Sequence, residues 1–128
     1  MIAVSLISIV DDDESIRESL PYLLKDFGYA VRTFAAADAF LISDAVEQTC
    51  CLILDVAMPG MSGPELQREL ARRGLRIPII FITAQSNETL RARLLSQGAV
   101  DFLVKPFSDA ALLGAINKAL RENSTTRL

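Results

Sequence analysis

The chain has 128 residues, about half of them hydrophobic and under a quarter charged, a balance that suits one globular domain with a real core and not a disordered chain. No apolar run approaches the roughly 20 residues needed to span a bilayer. A net charge of −3 with no basic run argues against direct nucleic-acid binding by this segment. The opening Met1-Ile2-Ala3-Val4-Ser5 carries no Lys or Arg, so no signal peptide and no membrane association are expected, and the location expected is cytoplasmic. The two cysteines, Cys50 and Cys51, are neighbours in an apolar run; a bridge between them would be strained, so free thiols are expected. The chain has no histidine. A zinc site is therefore not expected, and any phosphohistidine taking part in phosphorus chemistry must come from a partner.

Short apolar runs alternate with longer amphipathic stretches. Leu6-Ile7-Ser8-Ile9-Val10 predicts a first strand. Ile16, Leu20, Leu23, Leu24 and Phe27 recur at helical spacing, and Gly28 ends that helix. Pro21 lies inside it; an interior proline costs about 3 kcal/mol, so a kink near Leu20 is expected and not the loss of the helix. Ala30 to Phe34 alternates and suits an edge strand, and Ala36 to Ser43 reads as a short helix. Cys51-Leu52-Ile53-Leu54 is continuously apolar, as in a strand covered on both faces. Ser62 caps the next helix, with Pro64 in its first turn and Gly74 at its end. Ile79-Ile80-Phe81-Ile82 is a second central strand. A helix from about Asn87 to Gln97 follows, closed by Gly98. Phe102-Leu103-Val104 is the last strand, and Ser108 caps a final helix carrying Leu112, Ile116, Ala119 and Leu120. Five strands alternating with five helices predict an α/β, doubly wound parallel sheet with helices on both faces. One domain over 1–123 is expected, with 124–128 as a polar tail or the start of a linker.

Chemistry collects where the strands end. Asp11, Asp12 and Asp13 follow the first strand, Asp55 ends the third, Thr83 the fourth and Lys105 the fifth. In a parallel sheet these ends share the carboxyl edge, where ligands bind at the point of strand-order reversal. Carboxylates packed there repel, and a hard divalent cation relieves the repulsion; Mg²⁺ takes oxygen ligands and is often held by one or two carboxylates plus phosphate oxygens. Lys105 and Thr83 beside such an ion suit a phosphoryl group, and Asp55 is then a candidate nucleophile. Each residue also has a plainer use: an Asp cluster caps a helix, Thr83 caps another, Lys105 before Pro106 sits in solvent, and Phe102 packs in the core. Their joint placement on one edge outweighs these separate readings.

The segments Ile9-Val10-Asp11-Asp12-Asp13, Ile53 to Gly63 with its Asp-Val-Ala-Met-Pro-Gly-Met-Ser-Gly run, Ile82-Thr83-Ala84 and Val104-Lys105-Pro106-Phe107 together resemble the response regulator receiver domain of two-component signalling, a CheY-like family often joined to a helix-turn-helix output domain. The resemblance covers about residues 4 to 122. It implies a flavodoxin-like sheet of order 2-1-3-4-5 and a switch that controls its own phosphorylation and dephosphorylation but is not otherwise an enzyme. It implies Asp55 as phosphoacceptor, with Mg²⁺ held by Asp11, Asp12, Asp55 and the Ala57 carbonyl. It further implies Lys105 on a phosphoryl oxygen, Thr83 turning inward, Phe102 as switch aromatic, and a cis Lys105–Pro106 bond. Asp13 lies one residue past the acidic pair and is read as a helix cap.

The partner implied is a sensor histidine kinase. The face built by the fourth helix, fifth strand and fifth helix, about Asn87 to Asn123, is expected to change partners on activation, by homodimerising or by controlling an output partner. It carries both signs of charge, including Arg91, Arg93, Asp101, Asp109 and Lys118, as a polar interface rim does. Ala57 and Gln85 stand where the family tunes the lifetime of the phosphoryl group; neither offers a base to orient attacking water, so a long-lived phosphorylated state is expected. The rival reading is a haloacid-dehalogenase-like phosphohydrolase with Asp11 as nucleophile and Asp13 as acid–base residue. The short chain and the absence of a fourth acidic motif count against it.

Overall fold

The structure, a computed structural model, describes residues 4–126, with side chains through Glu122. Five strands, β1 (Leu6–Val10), β2 (Ala30–Phe34), β3 (Thr49–Asp55), β4 (Ile79–Thr83) and β5 (Asp101–Val104), form one parallel sheet in the order β2-β1-β3-β4-β5. This is the predicted flavodoxin-like order, with β2 at an edge as its mixed exposure suggests. Six helices connect and follow the strands: α1 (Glu14–Asp26), α2 (Ala37–Leu41), α3 (Ala45–Gln48), α4 (Gly63–Arg72), α5 (Glu88–Ser96) and α6 (Asp109–Thr126).

Alternation along each strand sends side chains to two separate cores. Ile7, Ile9, Cys51, Ile53, Ile80 and Ile82 pack under α1 and α6 with Leu24, Leu112 and Ile116. Val10, Leu52, Leu54, Phe81 and Phe102 pack on the opposite face with Phe40, Leu66, Leu70 and Leu94. Cys50 and Cys51 are both free and point to opposite faces, Cys51 buried and Cys50 half-buried.

The helix count is one more than predicted. The stretch read as a single short helix is α2 alone, and α3 follows it in residues left unassigned by the sequence reading. Ser43 divides the two. Its hydroxyl donates to the Phe40 carbonyl at 2.7 Å and accepts from the Ala45 N–H at 3.2 Å, ending one helix and opening the next. Behind it the buried Thr49 hydroxyl donates to the Ala45 carbonyl at 2.7 Å and pairs with Ser8 at 2.7 Å, tying α3 to β1 and β3.

Elsewhere the local signals hold. The α1 helix continues through Pro21. Ser62 forms a complete capping box with Glu65, Asn87 caps α5, and Ser108 accepts from the Ala111 N–H at 3.0 Å. Gly28, Gly74 and Gly98 leave their helices at positive φ, the conformation that stops a helix most cheaply. The last helix reaches Thr126, into the stretch 124–128 where a polar tail was expected. Arg127 and Leu128, at the end of that expected tail, and Met1 to Ala3 lie outside the described residues. Among the described residues no helix is long and apolar enough to cross a membrane.

Candidate acidic site at the carboxyl edge of the sheet

Register brings the strand ends together. Val10 pairs with Leu54, Asp55 with Ile82, and Thr83 with Val104, so the residues after β1, β4 and β5 and the last of β3 share one rim. Main-chain bonds extend the ladder into the loops: Asp11 N–H to Phe34 at 3.0 Å, Val56 N–H to Ile82 at 3.0 Å, and Lys105 N–H to Thr83 at 2.7 Å. The rim opens on a cavity of about 470 Å³ lined by Asp12, Asp55, Ala57, Thr83, Gln85 and Lys105 among others.

Asp11 is fully buried beneath the cavity. Its carboxylate accepts from the Asp13 N–H at 2.8 Å and from Lys105 Nζ at 2.9 Å. Asp55 is 6 % exposed, with Lys105 Nζ at 3.8 Å. Asp12 is exposed, and one carboxylate oxygen from each of Asp11, Asp12 and Asp55 lies within 4.8 Å of the others. Burial, then the charge of Asp11, pushes the pKa of Asp55 up to about 7 against the pull of Lys105. Burial alone would lower the pKa of Lys105, but its bond to Asp11 and the charges of Asp55, Asp11 and Asp13 outweigh that and raise it. Burial is the larger cause of the Asp55 shift, and the repulsion of Asp11, which one ammonium does not offset, adds to it. An all-oxygen donor set of this size fits a hard divalent cation.

The other predicted residues divide. Thr83 is buried, and its hydroxyl accepts from the Gln85 N–H at 3.3 Å. Phe102 sits beneath the rim, already packed inward in the core that holds Leu94. The Lys105–Pro106 bond is cis. Asp13 does not join the carboxylate cluster; its side chain accepts from the Ser15 N–H at 2.9 Å and caps α1, as its spacing suggested. This geometry gives no support to a hydrolase built on Asp11 and Asp13, because the first is sealed under Lys105 and the second is engaged as a cap.

Two things escaped the sequence reading, the role of Arg17 and the reason for Gly63. Arg17 donates to the Asp11 carbonyl at 2.9 Å and pins the acidic turn from α1; nothing in its spacing distinguishes it from a solvated arginine. Gly63 opens α4 against the strand that carries Asp55. A Cβ there would lie 2.3 Å from the Asp55 carbonyl oxygen, so the close approach requires glycine.

A doubly wound α/β sheet with an acidic cluster, a hydroxyl and a lysine on its carboxyl rim defines a class of small signalling domains. The family model described as response regulator receiver domain matches residues 7–117, and the chain belongs to that family, the receivers of two-component systems. It is 47% identical over 118 residues to the response regulator protein TmoT of Ectopseudomonas mendocina, a match covering 91% of this chain and 53% of that protein. It is 40% identical over 114 residues to the transcriptional regulatory protein FixJ of Azorhizobium caulinodans, covering 89% of this chain and 54% of that protein. Among solved structures, the response regulator StyR superposes with a TM-score of 0.90 at 46% identity, over 98% of this chain and 63% of StyR. FixJ-N superposes at 0.82 and 36% identity, over 94% and 96% of the two chains. The chain thus spans about half the length of the curated relatives it matches. These relatives are signalling regulators and not metabolic enzymes.

Proposed function

We propose that Asp55 accepts a phosphoryl group from a partner histidine kinase, and that this switches the α5–β5–α6 face to control an output partner or dimerisation. The observation that carries the reading is the clustering of Asp11, Asp12 and Asp55 beside Lys105 on the floor and wall of one open cavity. Asp11, Asp12, Asp55 and the Ala57 carbonyl would hold Mg²⁺, which when bound neutralises carboxylate and phosphoryl charge.

The chain's own residues supply the rest. A carboxylate oxygen of Asp55 attacks phosphorus, the N–P bond of the donor phosphoimidazole breaks, and its electron pair leaves with the imidazole nitrogen. Asp55 must be ionised for this, and Lys105 favours that state. Lys105 then pairs with a phosphoryl oxygen. Thr83 exchanges its bond from Gln85 N–H for one to that oxygen, and Phe102, already inward, repacks against the core it shares with Leu94 on α5. Neither Ala57 nor Gln85 offers a base to orient water against the acyl phosphate, which supports a long-lived phosphorylated form. FixJ of Azorhizobium caulinodans is a transcriptional regulatory protein, which supports control of transcription as the output.

The deciding test is the intact mass of the protein after incubation with Mg²⁺ and a small acyl phosphate, beside Asp55→Asn. Gain of one phosphoryl group in the parent, lost in the variant and with chelator, is the expected result. Incorporation that persists in the variant would move the nucleophile elsewhere and sink the assignment.

A further inference from the structure

Charge is spread unevenly over this chain. Between Ser62 and Gln97 it carries six arginines, no lysine and three glutamates, a local +3 within a total of −3. All six, Arg68, Arg72, Arg73, Arg76, Arg91 and Arg93, are exposed. The segment comprises α4, β4 and α5, and the two helices cover the same face of the sheet, because Leu66, Leu70 and Leu94 share one core. Glu69 alone serves both Arg72 and Arg73, at 2.6 and 2.7 Å. Among the described residues Arg76, Arg91 and Arg93 form no ion pair.

A second cavity of about 250 Å³ opens on this face, at the amino end of β4 and so at the opposite edge of the sheet from Asp55. Half-buried Leu75, Ile77 and Pro78 give it an apolar floor, Arg76 stands exposed beside them, and Gln67 of α4 contributes to its wall. Gln67 is 7% exposed, and its Oε1 is buried without a hydrogen-bond partner among the described residues. An unsatisfied buried carbonyl oxygen is costly, so a donor that reaches Gln67 as a partner seats in the cavity is favoured here.

Three features together select the occupant. The arginines call for carboxylates or phosphates. The apolar floor calls for a hydrophobic side chain. The Gln67 amide calls for a hydrogen-bonding main chain or side chain, which a peptide supplies at every residue and a phosphate backbone, an acceptor only, does not. The negative total charge also works against a long polyanion. We propose that the α4–α5 face docks an acidic peptide segment of a protein partner. An apolar side chain seats on Leu75, Ile77 and Pro78, a main-chain amide meets Gln67, and flanking carboxylates meet the arginines. This surface stands independently of the phosphoacceptor reading; it shares α5, with Arg91 and Arg93, with the α5–β5–α6 face and adds α4 and the cavity beside Arg76.

The test is selection of a random dodecapeptide library displayed on phage against the immobilised protein, with an Arg76→Glu/Arg93→Glu variant as the counter-target. Selected peptides are expected to carry Asp or Glu flanking an apolar residue and to bind the variant about tenfold less tightly, the worth of one charge-assisted hydrogen bond. Gln67→Met, which keeps the bulk and removes the amide, is expected to weaken them several-fold while leaving the circular dichroism spectrum unchanged. Selected peptides without acidic bias, or binding unaffected by either variant, would overturn the proposal. So would a short DNA duplex that binds the parent more tightly than these peptides, or a dimer in light scattering that Arg76→Glu abolishes; the first would make the face a nucleic-acid surface and the second a contact between copies.

Discussion

Asp55 is pulled in two directions, by burial and Asp11 towards the neutral form and by Lys105 towards the charged one, and its pKa settles at about 7. An unfolded aspartate ionises near 3.9. Without metal the folded protein therefore keeps a proton on Asp55 through a range in which the unfolded chain has lost it. The stability that Asp55 carries is full below about pH 4 and is lost as the pH rises through about 7. Asp55→Asn removes this dependence. In urea melts with chelator the variant is expected to match the parent near pH 4 and to exceed it by about 1–2 kcal/mol at pH 8; parallel curves would show an ordinary carboxylate. Lys105 is the counterweight. Replacing it by Ala strands the fully buried Asp11, and a loss of about 2–3 kcal/mol is expected in thermal melts, partly restored by Mg²⁺. An unchanged melting temperature would mean that Asp11 does not depend on that ammonium.

Single elements place these groups, and α4 is the most demanding. Its capping box and the glycine at its start bring the helix onto the strand that ends in Asp55. Ser62→Ala is expected to cost about 1 kcal/mol in urea melts. Gly63→Ala puts a methyl group into the Asp55 carbonyl and is expected to cost about 2–3 kcal/mol, with weaker phosphoryl uptake because Asp55 itself must shift. Equal losses for the two would show that the close approach relaxes freely. The cap and the glycine were both legible as sequence, since Ser-Gly-Pro before an amphipathic run is a helix start. The reason for Gly63 was not, because it lies in the backbone of a strand eight residues earlier. The break between α2 and α3 was hidden for a similar reason: it is set by where the Ser43 hydroxyl points, not by apolar spacing.

At the level of the whole molecule, α5 runs from one cavity to the other, with Asn87 at the acidic site and Gln97 at the one lined by Arg76 and Glu122. The proposed switch acts on the same helix. Thr83→Ala is expected to take up the phosphoryl group at Asp55 yet lose whatever change in oligomeric state the parent shows by gel filtration. A monomer in both forms of the parent would remove homodimerisation as the output. The phosphorylated parent is expected to persist well beyond seconds when followed by intact mass after donor removal, and decay within seconds would show that water reaches the acyl phosphate without a base at Ala57 or Gln85.

Sequence alone was enough for the five strands to within about two residues at each end, the helix caps and the membership of Asp11, Asp12, Asp55, Thr83 and Lys105 in one rim. Apolar periodicity and turn chemistry are local, and a parallel sheet collects its strand ends on one edge by geometry. Tertiary structure decided what depends on distance across the chain. It sealed Asp11 beneath Lys105 while leaving Asp12 open to the cavity, and it pinned the acidic turn with Arg17. It also gathered the arginines of α4 and α5 onto one face near the buried Gln67, whose Oε1 has no hydrogen-bond partner among the described residues. None of this has a period or a motif, because each depends on which side chains meet once two sheet faces have been covered.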